Sequence, residues 1–125
     1  MTKQKEALLQ YLDGGMTTII MHTFSPKTVL PQHLLNKIKI ALNLSYRFDT
    51  DIFEITDQHV KIKLTFSNKK HLCVLPLESI YFIFHPEAFM DGTGFQESFP
   101  IKYLESMCNF QASASSEYIV EDEDD

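Results

Sequence analysis

The residues able to do covalent or metal chemistry are few and scattered along the chain. His22, His33, His59, His71 and His85 never stand at the H-x-x-x-H or H-E-x-x-H spacing that places two imidazoles on one helix face for zinc. His71 and Cys73 alone share a strand face, which is fewer donors than a metal site needs. Asp49-Thr50-Asp51 offers two carboxylates without the glycine and closing glutamate of a calcium loop. Gly92-Thr93-Gly94 is followed by no Lys-Ser/Thr pair, so it lacks the residues that hold a phosphate in a nucleotide loop. No Gly-x-Ser-x-Gly or cysteine–histidine nucleophile pattern is present. Cys73 and Cys108 lie far apart and outside any C-x-x-C pair, and both read as buried thiols. The expectation is a protein without catalytic residues, metal or cofactor, and not an enzyme.

Binding chemistry is the alternative. Lys37, Lys39, Lys61, Lys63, Lys69 and Lys70 would form a basic surface if they shared a sheet face, with Tyr46 and Phe48 as stacking partners for single-stranded RNA. Two facts weigh against it: alternating lysines on a strand commonly make a plain solvated face, and an acidic terminus would compete for the patch. Capture of a peptide suits the same elements better, because an extended ligand can lie in an apolar groove between sheets and satisfy its backbone on strand edges.

The positioning elements follow from hydrophobic phase. Residues 3–12 read as a short helix with Leu8, Tyr11 and Leu12 on one stripe, ended by Gly14 and Gly15. So short a helix is marginal alone in water, and its stripe must dock on the body or on a second copy. Residues 17–24 read as a strand stopped by Ser25-Pro26. In 38–46 apolar residues take alternate positions, as they do in Val60, Ile62, Leu64 and Phe66, which predicts two half-buried strands. Ser67 to Lys70 supply a hairpin turn, and the returning strand 72–75, apolar on both faces, is expected to be central. Residues 52–55 add a short strand, 77–80 one helical turn, 81–84 a last apolar strand, and 100–110 a terminal helix with Ile101, Leu104 and Cys108 on one side. Six or seven short strands framed by helices predict a mainly β domain with flanking helices, its antiparallel sheets closed or sandwiched.

Charge separates this body from its end. Six of the 17 acids, Glu117 and those from Glu121 to Asp125, lie in the last nine residues, and the remaining 11 balance the 11 lysines and arginines. Such a run reads as a solvated tail. The expected organisation is a domain over 1–110 and a flexible acidic tail over 111–125. No apolar run approaches the ~20 residues that cross a bilayer, and residues 1–12 lack the apolar core of a signal peptide, so a cytoplasmic location is expected.

The segments Leu9-Gln10-Tyr11-Leu12-Asp13, Ile38-Lys39-Ile40-Ala41-Leu42-Asn43, Val60 to Asn68 and Val74-Leu75-Pro76-Leu77-Glu78-Ser79-Ile80 follow one another in an order and spacing that resembles the stringent starvation protein B (SspB) family from about residue 8 to residue 87. The family's Gly-Gly turn is Ser67-Asn68 here. The resemblance implies a non-catalytic adaptor with an Sm-like double antiparallel sheet and an N-terminal helix, homodimerised through Leu8, Tyr11 and Leu12. It implies a groove that binds degradation tags, such as the ribosome-rescue tag, placed by family position and strand phase at Leu44, Tyr46, Leu64 and Phe66. It also implies a tail that docks on the ClpX unfoldase of the ClpXP protease. Family tails end in an apolar and basic motif; this one offers Tyr118, Ile119 and Val120 followed by acids alone. A terminal strand pairing with an open sheet edge is the other reading of those three residues.

Overall fold

The computed structural model describes residues 2–91, 94–97 and 117–120. One helix, α1 (Lys3–Asp13), precedes eight strands: β1 (Thr17–Met21), β2 (Lys39–Leu44), β3 (Phe53–Ile55), β4 (His59–Phe66), β5 (Lys69–Pro76), β6 (Ile80–Phe84), β7 (Phe95–Gln96) and β8 (Glu117–Val120). They form two sheets, ordered β7-β6-β1-β2-β8 and β3-β4-β5, with every pairing antiparallel except that of β8 with β2. The mainly β class with two sheets and an N-terminal helix is the architecture that the alternation in the sequence predicts. The predicted helix at 100–110, the linker at 112–116 and Cys108 lie outside the described residues.

The clearest alternation gives the clearest strand. In β4, Val60, Ile62, Leu64 and Phe66 are buried while His59, Lys61, Lys63 and Thr65 are half-buried on the other face. The buried set meets Ile19, Met21, Ile40, Leu42, Leu44 and Ile83 of the larger sheet in one core, which Cys73 and Leu75 of β5 complete. Ser67 and Asn68 connect β4 to β5 with φ of 52° and 67°, the doubly left-handed backbone of a two-residue hairpin whose twist matches its strands.

Helix α1 closes one end of this core. Thr2 caps it by accepting a hydrogen bond from the Lys5 N–H at 3.1 Å. At the other end His85 Nε2 lies 2.7 Å from the Tyr11 carbonyl oxygen, a second partner for that terminal acceptor beside the Gly14 N–H. A Cβ on Gly14 would stand 2.8 Å from the His85 ring, so the close approach of ring and helix end requires glycine there. Leu8 and Leu12 are buried in the core of their own chain, and Tyr11 tilts against His85 with centroids 4.9 Å apart. The stripe thus docks on the body: Leu8 and Leu12 retain no surface for a second copy, and any contact between copies through α1 falls to its remaining faces.

Three other expectations change. β2 is buried on both faces, because Ala41 joins Ile20 and Phe84 in a second cluster on the outer side of the larger sheet. There Thr18 Oγ1 donates to the Asn43 Oδ1 at 2.6 Å, satisfying two buried polar groups. β5 is an edge strand rather than a central one, with Leu72 exposed and Val74 half-buried. Finally, Glu117–Val120 pairs with Lys39 to Leu42 of β2, so Tyr118, Ile119 and Val120 belong to a strand and the expected free tail does not hold for these residues. The open edge of β2 is the physical reason, since a row of unpaired N–H and C=O groups recruits any strand within reach.

Truncating Leu8 to Ala is expected to cost about 2–5 kcal/mol in denaturant unfolding; a loss near zero would place the helix stripe outside the core. Deleting residues 117–125 is expected to lower the melting temperature, by about 4 °C for each kcal/mol of pairing lost, and to promote aggregation through the uncovered β2 edge. An unchanged melting temperature would show that β8 contributes nothing.

Candidate functional site

Three loops leave the larger sheet at the same end. Thr17 pairs with Leu44 and Thr18 with Phe84, so the turn before β1, the loop after β2 and the segment after β6 emerge side by side. Between them lies a cleft of about 730 Å³, within the range of ligand-binding clefts. Leu12, Gly14, Gly15 and Met16 line one wall and Ser45, Tyr46, Arg47 and Phe48 the other, with Asp13 and Glu87 among the lining residues.

The walls are held by local bonds. The Gly14 and Gly15 N–H groups donate to the carbonyls of Tyr11 and Leu12 at 3.0 and 3.1 Å, and Thr17 Oγ1 donates to the Gly15 carbonyl at 3.1 Å. Gly15 has a φ of 130°, a conformation open to glycine and strained for other residues. On the facing wall the Arg47 N–H donates to Ser45 Oγ at 3.1 Å and the Phe48 N–H to the Ser45 carbonyl at 3.3 Å. Tyr46 packs on Phe53 of the smaller sheet with centroids 5.5 Å apart. The cleft therefore sits at the seam where β2 of one sheet gives way to β3 of the other.

Tyr46 is 53% exposed and Met16 40% exposed, two of the few large apolar side chains on the described surface. Arg47 stands beside them as a bidentate donor for a carboxylate or carbonyl. Partial burial, with the Asp13 carboxylate as a lesser cause, raises the Tyr46 pKa above its ordinary value, so the phenol, a donor at neutral pH like any tyrosine, ionises later than a fully exposed one. Methionine adapts its shape to a ligand and tyrosine offers rigid contact area with one polar tip.

Of the four groove residues expected from the sequence, only Tyr46 lies here. Leu44, Leu64 and Phe66 are buried in the core, where a ligand could reach them only by parting the sheets. Strand phase points them inward, and in a two-sheet domain inward means core. Met16, Arg47 and Asp13 carry no such signal in the sequence, because Met16 and Arg47 lie in loops where alternation carries no information and Asp13 is the last residue of α1, off its apolar stripe. The six lysines divide as well. Lys61, Lys63 and Lys70 share the outer side of the smaller sheet, Lys69 sits at its hairpin end on the other phase, and Lys37 and Lys39 belong to the larger sheet. Of the six, Lys70 reaches the loop of Tyr46 and Phe48, donating its ammonium to the Asp49 carbonyl. Among the described residues no group of His, Cys, Asp and Glu could hold a metal, and no helix is long and apolar enough to cross a membrane.

Comparison with protein-family models and with curated proteins returned no match.

The electrostatics of Tyr46 can be checked directly. Because its pKa is raised, the stabilising contribution of the neutral phenol is present below the ordinary tyrosine pKa and is lost as pH rises through the folded value. Ultraviolet titration should show a phenol that ionises late and is absent in Tyr46→Phe, and Asp13→Asn should bring its midpoint down. A midpoint that Asp13→Asn leaves unmoved would remove the carboxylate as a cause.

Proposed function

We propose that this protein is a non-enzymatic, cytoplasmic adaptor of the SspB type, which binds short peptide degradation tags and hands the tagged protein to the ClpXP protease. The observation that supports the reading best is the seam cleft, with exposed Tyr46 and Met16 beside Arg47. An extended peptide suits it: apolar side chains on Met16, Tyr46 and Phe48, and a carboxylate or carbonyl on Arg47. The order of helix, two sheets and hairpin is the one that the family resemblance implies.

The contact with the ClpX unfoldase follows less directly. Tyr118, Ile119 and Val120 could serve as a docking motif only after β8 leaves β2, so delivery by that route would couple docking to the opening of a sheet edge. Homodimerisation, if it accompanies this function, uses surfaces other than Leu8 and Leu12.

A fluorescent ribosome-rescue tag peptide, a scrambled tag and a single-stranded RNA, compared by anisotropy on the full chain, test the reading. Saturable binding of the tag alone is expected. Tyr46→Ala should weaken it at least tenfold, about 1.4 kcal/mol, with little change in melting temperature, whereas Leu64→Ala should cost about 2–5 kcal/mol of stability. The protein should also accelerate degradation of a tagged substrate by ClpXP. Equal binding of tag and scrambled peptide, or preference for RNA, would sink the proposal.

A further inference from the structure

The edge of the smaller sheet carries a second surface, independent of the seam cleft. Lys63 donates its N–H to the Ile52 carbonyl on the β3 side, so the pair Lys63 and Leu72 across β4 and β5 exchanges no backbone bonds. In an antiparallel ladder the N–H and C=O of Leu72 must then point away from β4, out of the sheet. Two residues further on, Val74 points the same way and exchanges both bonds with Val29 at 3.0 Å. The strand track begun by Val29 would reach Leu72 at residue 31, which is Pro31 and has no N–H to donate. The chain therefore starts to cover its own β5 edge and stops one bonding pair short.

What remains open is apolar and bordered by positive charge. Leu72 is 42% and Val29 48% exposed. Lys61 and Lys63 stand opposite Val74 and Leu72 on β4, with Lys69 and Lys70 at the hairpin end and Lys27 exposed two residues before Val29. Acids stand on both sides of this edge: Glu54 opposite Lys61 and Asp51 3.6 Å from Lys63 toward β3, and Asp57 and Glu78 around a pocket shared with Lys27 and Val74. Lys70 donates its ammonium to the Asp49 carbonyl; Lys61, Lys63 and Lys69 are the cations nearest Leu72. An open edge with exposed apolar side chains is ordinarily blunted in a monomer, and one held open is a template for an added strand.

We propose that the β5 edge at Leu72 is a docking site for an extended acidic segment of a partner protein, which adds as a fourth strand to the smaller sheet. Its backbone pairs with Leu72, its apolar residues cover Leu72 and Val29, and its carboxylates meet the lysines on β4 and at the hairpin end. The reading does not depend on tag binding, since the two surfaces share no residue.

The test is an amide NMR titration of the ¹⁵N-labelled full chain with a blocked synthetic peptide of alternating valine and glutamate, and with its valine–lysine counterpart. Saturable shifts centred on residues 69–74 and Val29 are expected for the acidic peptide alone. Leu72→Pro, which removes the outward N–H at an edge position that tolerates proline, should abolish them. Leu72→Glu keeps the backbone donor and should weaken binding by charge and lost apolar contact, so the proposal stays testable if the proline variant misfolds. Lys61→Glu with Lys63→Glu should weaken binding roughly tenfold or more, and Tyr46→Ala should leave it unchanged. Shifts centred on 45–48 or on β2, equal binding of the lysine peptide, single-stranded RNA shifting the same amides, or concentration-dependent shifts without peptide from pairing of two copies would each overturn it.

Discussion

Burial of Val60, Ile62, Leu64 and Phe66 against Ile19, Met21, Ile40, Leu42 and Leu44 is the constraint from which the rest of the domain follows. Side chains on a strand alternate, so a slip of one residue in β4 would turn Lys61 and Lys63 into an apolar interior, at a desolvation cost that a marginally stable domain of this size cannot absorb. The register of the smaller sheet is therefore locked by what its lysines must avoid as much as by what its aliphatic residues gain. Once it is locked, the seam between the sheets, the helix seat over Leu8 and Leu12, and the outward face of β5 have fixed positions.

The larger sheet is tied down differently. Its strands β1 and β2 have no solvent face: one side packs on the core and the other holds Ile20, Ala41 and Phe84 around the bonded Thr18 and Asn43 pair. A polar pair buried this way discriminates between registers, because any other pairing strands two hydrogen-bonding groups without partners.

How much of this was legible depends on the kind of signal. β4 and its hairpin were readable because one face is polar and the turn residues are local. In β2 the alternation suggests a half-buried strand because Asn43 looks solvent-facing by type; only its partner Thr18, distant in the sequence, makes it a core residue. The apolar Leu72 and Val74 suggest a central place for β5, but their exposure depends on where the neighbouring loop ends, and Pro31 decides that. β8 was obscured by composition, since charge repulsion argues for a tail and takes no account of an open edge waiting elsewhere. At the candidate site, phase points to Tyr46 alone, two residues past the end of β2; its companions Met16 and Arg47 come together only through the pairing of Thr17 with Leu44.

The two sheets also differ in how the chain must search for them. The β4–β5 hairpin closes through Ser67 and Asn68 alone, and a hairpin of this kind can form within about 1–10 μs. Every pairing around β1 and β2 waits for distant partners: residue 18 for residue 84, and residue 39 for residue 117. Long-range pairings of this sort are slow because the loop entropy is lost before the contacts form. The smaller sheet is thus suited to act as a preformed platform on which the larger one assembles, and the β2 edge stays open to wrong partners for as long as its last strand is missing.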